Sequence, residues 1–389
     1  MIIQSILDTD LYKLTMGQLV LGCFPDVNVT YKFTNRGKQR FNQAFLDGLN
    51  NAIAEMADKV ILAQDELTYL EKLPFITRWY LDYLKNYRFK PAELDIKLDA
   101  DGCLTIDIAG KWHSTIYWEV PLMAMISEVY FTTVDTTWVN DGQRENALDK
   151  AARLSAAGCS FADMGTRRRR AGWLQRLILT EMKKYACKGH GGFAGTSNVM
   201  FAKELNLPVI GTMAHEFIMG VSALKSLRYA NKEALNLWAN FYEGRLGIAL
   251  PDTFGTDAFL RDFNLSLAKQ FDGVRHDSGD PVEFAHKIVE HYVDLGIDPL
   301  HKKIIFSDGL NVDEAIRLKK EVGGVLNISF GIGTHFTNDF KDSKALNMVI
   351  KLSTVDGFPV VKLSDNPGKA TGNADAVRVA QWVHQGKPL

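Results

Sequence analysis

Residues 302–324 read KKIIFSDGLNVDEAIRLKKEVGG and combine the two patterns that decide the fold. The apolar run 304–306 ends in Ser-Asp-Gly, which is typical of a buried strand that leaves the core at a turn. The next stretch places Val312, Ile316 and Val322 on one helical face before a Gly-Gly stop. We therefore predict a strand followed by an amphipathic helix.

The same alternation recurs along the chain from about residue 160. Seven short apolar or small-residue runs each end in glycine and polar residues: CSFADMGTRR, GGFAGTSN, LPVIGTMAHE, GIALPDTFGT, FDGVRHDSGD, KKIIFSDGLN and ISFGIGT. Successive strand–helix units predict parallel strands with helical crossovers, either in a barrel or in a doubly wound sheet. Both folds place the active site at the carboxyl ends of the strands, and the polar residues concentrated there favour a barrel.

The chain on either side of this region follows a different pattern. The predicted elements are a strand at 27–37, helical segments over 42–90, a β-hairpin over 95–118 and a buried helix at 120–131. After residue 345 the pattern predicts another hairpin, which we expect to return to the first lobe. The predicted domains are an α/β lobe of residues 1–140, joined by about 345–389, and an α/β barrel of residues 141–344.

The composition excludes several classes of protein. Lys and Arg total 45 against 46 Asp and Glu, so no overall charge favours nucleic acid or an anionic membrane. The chain shows neither a signal-peptide pattern nor an apolar run near the roughly 18–20 residues of a membrane helix. Its four cysteines are scattered without a CxxC pair, which argues against zinc or a disulfide framework. We therefore predict a cytoplasmic globular enzyme with no nucleic-acid or membrane partner.

Four consecutive arginines, Arg167 to Arg170, follow one predicted strand in DMGTRRRR. Arg167 and Arg168 lie nearer the strand end, where a guanidinium can bind a phosphate or a carboxylate with two hydrogen bonds. For Arg169 and Arg170 we weigh this role equally against a solvated helix face, because a run of charge usually lies in solvent.

The segment VRHDSGDP, residues 274–281, places further charge at a strand end. Arg275 and Asp277 are two residues apart, so on a strand they point the same way. Together they suit a sugar hydroxyl, a metal-bound phosphate or a carboxylate substrate. Asp280 is interpreted separately, as the N-cap of a helix whose first residue is Pro281.

Glycine-rich turns end two more of the predicted strands. Asp308 and Gly309 follow IIF, and Gly331, Gly333 and Thr334 lie in SFGIGT. Free backbone N–H groups in such turns bind phosphate, so beside the arginines they indicate a phosphorylated substrate. Asp308 would bind a sugar hydroxyl, or it would contact the ligands of a magnesium ion without binding the ion itself.

His215 follows another strand end, in LPVIGTMAHE, and four roles are open to it. A metal ligand needs further His or Cys nearby, and the pattern offers none. A buried structural histidine, a general base and a nucleophile are the better supported roles. Glu216 is adjacent in sequence, and successive residues seldom face each other, so we do not assign it to orient the imidazole. An acid from a neighbouring strand end, such as Asp252 in LPDTFGT, is as good a candidate.

Twelve motifs taken together resemble the nicotinate phosphoribosyltransferase family, in its bacterial form, over about residues 7–370. They are LDTDLYKLTM, ISEVY, GTRRR, FAGTSN, GTMAHE, GIALPD, DAFLRDF, VRHDSGDP, FSDGLN, SFGIGT, NMVIKL and KLSDNPGK. The resemblance implies the type II phosphoribosyltransferase fold, an irregular (β/α) barrel with a smaller lobe built from both chain ends. It also implies that nicotinate is joined to 5-phosphoribosyl 1-diphosphate, with ATP hydrolysis coupled through a phosphohistidine, as the first step of NAD salvage from nicotinate.

By motif position, the resemblance assigns a role to each strand-end residue. His215 becomes phosphorylated by ATP, and Arg275 and Asp277 bind the ribosyl diphosphate and nicotinate. The remaining ligands are Asp308 and Gly309 at the ribose, Gly333 and Thr334 at the 5′-phosphate, and Arg167, Thr196 and Lys351 along the same pocket. Mg²⁺ is expected on the diphosphate, with Asp277 or Asp308 as the nearest side chains and none assigned as a direct ligand.

Four positions concern the pyridine ring. Tyr12, just after Asp10, matches the tyrosine that stacks on the ring, in many members from the partner subunit of a homodimer. Ser197 stands where related nicotinamide enzymes have an aspartate, and a hydroxyl can donate to the nicotinate carboxylate that an aspartate would repel. Met164 replaces the usual phenylalanine on the other side of the ring, so we expect weaker or altered nicotinate affinity.

Other functions remain open on the sequence alone. One is a phosphoribosyltransferase for nicotinamide, which Ser197 disfavours, or for quinolinate, which would release CO2 and need no nucleophilic histidine. Another is a non-catalytic phosphosugar-binding barrel, which the full set of strand-end polar residues disfavours.

Overall fold

Two separate β-sheets organise the computed structural model, which describes residues 1–187, 189, 191–366 and 369–388. One sheet has five antiparallel strands and the other has six parallel strands. The strands are β1 Asn28–Asn35, β2 Leu94–Leu98, β3 Leu104–Lys111, β4 Ser160–Asp163, β5 Gly192–Thr196, β6 Ile248–Ala249, β7 Gly273–His276, β8 Lys303–Phe306, β9 Asn327–Ile332, β10 Met348–Val355 and β11 Phe358–Pro359.

The parallel sheet has the strand order β5-β4-β9-β8-β7-β6. Beyond β5 the chain pairs in parallel once more, between Thr196 and Val209. The Thr212 hydroxyl then donates to the carbonyl oxygen of Ile248, in β6, at 3.2 Å. These contacts bring the two edges of the sheet together and form the predicted irregular barrel. Of the seven predicted strands six are regular, and LPVI contributes only the single pairing at Val209.

Helices connect the strands and cover the sheets. They are α1 Leu11–Cys23, α2 Gln43–Lys59, α3 Gln64–Leu70, α4 Arg78–Asn86, α5 Trp112–Thr115, α6 Glu119–Thr133, α7 Gln143–Ala156, α8 Gly172–Met182, α9 Val199–Leu205, α10 His215–Leu224, α11 Ala230–Tyr242, α12 Thr256–Asp262, α13 Leu265–Gln270, α14 Pro281–Asp294, α15 Val312–Val322, α16 Thr334–Thr337 and α17 Ala374–Gln385. The Asp280 side chain accepts from the backbone N–H groups of Val282 and Glu283, so the predicted N-cap of α14 is confirmed. Strand β8 and helix α15 likewise confirm the strand–helix unit of residues 302–324.

The antiparallel sheet joins the two ends of the chain. Its strand order is β11-β10-β1-β3-β2, and β10 pairs with β1 from Val29 opposite Val355 to Asn35 opposite Met348. Strands β10 and β11 form the predicted hairpin. In β3, buried and exposed residues alternate over 104–109, as expected for a sheet with one face on the core.

Helix α17 was not predicted, although the chain carries signals for it. The Asn373 side chain accepts from two backbone N–H groups of its first turn, and Gly386 ends it in the left-handed conformation at φ +66°. The ring of His384, in α17, stacks on Phe254 with 4.3 Å between centroids. The C-terminal segment therefore crosses from the antiparallel sheet to the barrel.

Two further properties concern the described residues. No helix there has both the length and the apolar character needed to cross a membrane. The four cysteines are unpaired thiols, and Cys159 alone among them is buried.

Candidate active site

His215 begins helix α10 at the edge of the barrel where the parallel strands end. Ala214, just before it, is extended, so the helix starts at the histidine itself. The imidazole Nδ1 lies 2.9 Å from Oγ1 of Thr253. Nε2 lies 3.1 Å from Oδ2 of Asp277 and 3.3 Å from Oδ1 of Asp252. Three of the predicted strand ends therefore meet at this ring.

Lys362, which no strand-end pattern indicated, completes this cluster. Its Nζ lies 2.9 Å from Nε2 of His215 and 2.8 Å from Oδ2 of Asp252. An ammonium can only donate, so with the ring proton on Nδ1, facing Thr253, Nε2 accepts from Lys362; with the proton on Nε2 the ring donates to Asp277 instead. Burial lowers the pKa of His215, which favours the neutral ring. In the Nδ1-protonated tautomer the Nε2 lone pair points at a cation.

Asp277 is held in place from several sides. Arg275 donates to both of its carboxylate oxygens, at 3.2 Å from Nε and 3.0 Å from Nη2, so the predicted pair shares one face of the strand end. Ser307, after β8, also donates to it. Although burial opposes the charge, the Arg275 guanidinium holds the pKa of Asp277 well below its usual range. Asp277 is therefore a carboxylate at any physiological pH.

The same cluster has the donor set of a divalent-cation site. One ligand atom each from His215, Asp252 and Asp277 lies within 4.8 Å of the others. Asp252 is 2% exposed, and its Oδ1 has no hydrogen-bond partner among the residues that the structure describes. A buried oxygen without a partner is costly, and a hard cation would satisfy it. Asp308, the other acid considered for magnesium, does not belong to this cluster.

Tyr12 and Arg167 lie beside each other within one chain. The guanidinium carbon of Arg167 is 6.0 Å from the centre of the Tyr12 ring. Glu119, at the start of α6, accepts from Arg167 at 3.2 Å and from the Tyr12 hydroxyl at 3.4 Å. The side chain of Arg167 is 43% exposed, so an incoming anion can reach it. Glu119 is a further polar residue that the sequence patterns did not single out.

The hydroxyls of Ser197 and Thr196 already have partners in the protein. Ser197 donates to Oδ1 of Asp10 at 2.7 Å, and both residues are buried. Thr196 donates to Oδ2 of Asp163 at 2.7 Å, and its side chain is completely buried. Burial raises the pKa of Asp163 to about 6. Thr196 thus braces the end of β4, while Ser197 and Asp10 form a pair next to Arg167.

Met164 packs against the glycine-rich end of β9. A Cβ atom on Gly331 would lie 2.4 Å from the Met164 sulfur, so only glycine leaves room for this side chain. Gly333 lies against the Met164 backbone, and Thr334 then begins the short helix α16. The predicted phosphate-binding turn and the predicted ring-stacking residue are therefore neighbours.

The remaining predicted ligands lie on two other elements. Asp308 follows β8, with Lys369 Nζ at 3.8 Å from its carboxylate, and Gly309 has a left-handed φ of +59°. Lys351 lies on β10 and pairs in register with Lys32. Burial, together with the positive charges of Lys362 and Arg36, lowers the pKa of Lys351 to about 7.

Of the two roles weighed for Arg169 and Arg170, the solvated helix face is wrong, since both are buried. Arg169 donates to both carboxylate oxygens of Asp8, at 2.7 and 2.8 Å, and to Glu128 at 2.8 Å. The Arg170 guanidinium stacks on Phe131, with 3.4 Å between its carbon and the ring centre. Neither arginine is free to bind a ligand, so these two residues stabilise the fold. Arg168 donates to the carbonyl oxygen of Met348.

Glu216 anchors the first turn of α10 without touching the imidazole. It accepts from Lys13 at 2.5 Å, from the Tyr31 hydroxyl at 2.6 Å and from the Trp112 indole at 2.9 Å. Lys13 is fully buried and pairs with Glu119 as well, at 2.7 Å. This buried network ties the helix that carries His215 to α1, α5, α6 and β1.

Comparison with protein families matches most of the chain. Residues 7–127 match the nicotinate phosphoribosyltransferase N-terminal domain, and residues 159–386 match the nicotinate phosphoribosyltransferase family. A nicotinate phosphoribosyltransferase of Methanosarcina mazei is 48% identical over 402 aligned residues, which cover 98% of each chain. Full-length similarity at this level establishes the activity as well as the fold.

Solved structures give the same result. The crystal structure described as a putative nicotinate phosphoribosyltransferase of Saccharomyces cerevisiae superposes with a TM-score of 0.95, at 38% identity over 99% of both chains. The nicotinate phosphoribosyltransferase of Porphyromonas gingivalis has a TM-score of 0.94, at 37% identity over 98% of this chain and 99% of that one. The chain belongs to the nicotinate phosphoribosyltransferase family.

Proposed function

We propose that this nicotinate phosphoribosyltransferase couples transfer to ATP hydrolysis through phosphorylation of His215. The observation that carries the proposal is the placement of Lys362 Nζ at 2.9 Å from Nε2 of the ring. A neutral imidazole whose lone pair points at a cation is suited to accept a phosphoryl group, because that cation then neutralises the new negative charge.

The proposed step begins with attack of the Nε2 lone pair on the γ-phosphorus of ATP. The bond between the γ-phosphorus and the bridging oxygen breaks, and ADP leaves with the electron pair. The proton on Nδ1 remains on the ring and faces Thr253, which supports the phosphorylated imidazole. Water later cleaves the N–P bond and releases inorganic phosphate, which regenerates the neutral histidine.

For magnesium we propose Asp252 and Asp277 as the residues that would hold the ion near the diphosphate. The unpartnered Oδ1 of Asp252 and the fixed, ionised Asp277 support this choice. When bound, the ion supplies charge neutralisation as the diphosphate leaves C1 of the ribose. Arg275, which donates to the Met213 carbonyl oxygen as well as to Asp277, is the proposed cation of this chain beside it.

Bond formation itself needs little from His215 in this proposal. The pyridine nitrogen of nicotinate already carries a lone pair, so it requires orientation rather than deprotonation. Tyr12 and Met164 are the proposed walls for the ring, and Arg167 is the proposed partner of its carboxylate. Asp308 and Gly309 are assigned to the ribose, and Gly333, Thr334 and Lys351 to the phosphates.

The variant His215→Ala tests the coupling. It should lose stoichiometric ATP hydrolysis while it retains some ATP-independent transfer, since the bond-making groups remain. Assays with each of nicotinate, nicotinamide and quinolinate, with and without ATP, would identify the mononucleotide formed. Stoichiometric ATP hydrolysis by His215→Ala would contradict the assignment.

For the organisation of the chain we propose a lobe of residues 1–140 with about 345–389, and a barrel of 141–344. We also propose a cytoplasmic homodimer, as the family resemblance implies, and unpaired cysteines are compatible with a reducing compartment. Tyr12 lies next to Arg167 of its own chain, which supports a proposed pyridine end with both residues from one copy. Sedimentation of the active enzyme measures its oligomeric state and so tests the proposed homodimer.

A further inference from the structure

Asp10 places a carboxyl group against the hydroxyl that the proposed function assigns to the acid substrate. Ser197 Oγ and Asp10 Oδ1 are 2.7 Å apart, and the two residues are 4% and 2% exposed. The backbone N–H of Leu11 donates to the Ser197 carbonyl oxygen at 2.8 Å, and Asp10 pairs antiparallel with Asn198. Backbone contacts on both sides therefore hold this side-chain pair together.

Few positive charges offset an ionised Asp10. The charged or titratable groups facing it are Arg167 from the turn after β4, Glu119 from α6, Asp163 from β4 and Tyr12 from α1. Arg167 Nε is 4.0 Å from Oδ2 of Asp10, while the same guanidinium also pairs with Glu119 at 3.2 Å. Lys13, behind Glu119, is shared with Glu216.

A bound nicotinate would add one more carboxylate to this buried region. With Asp10 ionised, two protein carboxylates and the substrate would share the single guanidinium of Arg167. Ser197 would also have its hydrogen committed to Asp10, so only oxygen lone pairs would face the substrate carboxylate. Both effects oppose binding of the acid.

We propose that Asp10 takes up a proton from solvent when nicotinate binds, and that this proton makes Ser197 a donor to the substrate carboxylate. The protonated Asp10 donates to Ser197 Oγ, and the Ser197 hydrogen turns to nicotinate. Asp10 is thus a specificity-determining residue of the known reaction. Burial raises the pKa of Asp10, in the direction that this step needs. The inference rests on the proposed location of Ser197 at the pyridine end of the site.

The test is the pH dependence of the KM for nicotinate at saturating ribosyl diphosphate. In the wild type, this KM should rise about tenfold per pH unit once Asp10 ionises in the free enzyme. In Asp10→Asn the amide donates to Ser197 as the protonated acid would, so the KM for nicotinate should stay low and lose this rise. The KM for the ribosyl diphosphate serves as the internal reference: its pH dependence comes from Lys351 and should be the same in the wild type and in Asp10→Asn.

Ser197→Ala provides a second measurement that does not need Asp10→Asn to fold. It removes the donor, so at low pH the KM for nicotinate should be about tenfold higher than in the wild type, the size expected for one hydrogen bond to a charged group. The rise with pH that remains in this variant comes from the Asp10 charge alone. The proposal is overturned if the wild-type KM is flat with pH, or if Asp10→Asn keeps the wild-type rise while Ser197→Ala raises the KM for nicotinate. If both variants leave every nicotinate parameter unchanged, it is instead the location of Ser197 at the pyridine end that fails.

Discussion

The ammonium of Lys362 lies 2.9 Å from Nε2 of His215, although 147 residues separate the two in sequence. Asp252 joins them, since its carboxylate contacts both the lysine and the ring. The side chain of Lys362 is 11% exposed, so this cation is partly shielded from water. A cation shielded in this way stabilises a phosphoryl group more strongly than one on the surface.

The first prediction concerns Lys362. Replacement of Lys362 by Ala should lower the amount of phosphohistidine formed from ATP by about 10- to 100-fold, the size of one charged hydrogen bond. Lys362→Arg should retain part of it because the charge remains. Labelling with γ-³²P-ATP followed by alkaline extraction measures the change. The exposed Arg378→Ala, in α17, is the control and should behave as the wild type. Equal labelling of Lys362→Ala and the control would remove Lys362 from this role.

The second prediction concerns pH and Lys351. Because the pKa of Lys351 is lowered to about 7, the folded enzyme loses this charge as the pH rises through 7. A neutral lysine binds phosphate poorly, so kcat/KM for the ribosyl diphosphate should fall above pH 7. Lys351→Arg should lack this inflection, because arginine stays protonated. An inflection at the same pH in the arginine variant would assign it to another group.

The same group affects folding in the opposite direction. Above pH 7 an unfolded Lys351 still binds its proton while the folded one does not, so the free energy of unfolding rises with pH through this group. Urea titrations of the wild type and Lys351→Met at several pH values measure the difference. The rise of the free energy of unfolding with pH that comes from Lys351 should be absent in Lys351→Met.

The third prediction concerns Met164. If this side chain forms one wall for the pyridine ring, Met164→Phe should lower the KM for nicotinate by about three- to tenfold, as an added aromatic contact does. Gly331 has no side chain, so the phenylalanine ring can take the position against it that the Met164 thioether occupies. Met164→Leu, of similar volume, is the control and should change little. If the KM for nicotinate is not lower in Met164→Phe than in the wild type, this result would count against a stacking role.

The fourth prediction concerns stability. Arg169→Ala leaves Asp8 and Glu128 buried without their cation, which should cost about 3–5 kcal/mol of the free energy of unfolding. Arg176→Ala removes a guanidinium from an exposed pair with Glu204 and should change stability little. Urea denaturation compares the two. Similar midpoints would mean that the buried pair does not stabilise the fold.

The strand-end residues could be predicted because parallel strands all finish at one edge. His215, Arg275 and Asp277 follow from two such ends, and the structure brings them within hydrogen-bond distance of one another or of a shared partner. Asp252, considered as an acid near His215, also lies there. Local patterns were sufficient here because the fold class alone determines where these turns meet.

Other contacts could not be read from local patterns. Lys362 follows the β10–β11 hairpin, and β10 pairs with β1, a pairing that no short motif specifies. The run Arg167–Arg170 looks uniform in sequence, yet Arg167 is 43% exposed and Arg169 is fully buried. That difference arises from Asp8 and Glu128, which are distant in the chain. Local patterns therefore do not predict the role of a residue whose contacts are made by residues distant in the sequence.

The pairing of β1 with β10 also has a consequence for how the protein is made. Strand β1 occupies the middle of its sheet, between β3 and β10. During synthesis β3 emerges soon after β1, but the opposite edge of β1 has no neighbour until residues 348–355 leave the ribosome. For most of translation the nascent chain therefore carries an open strand edge, at which unintended pairing with another chain can occur.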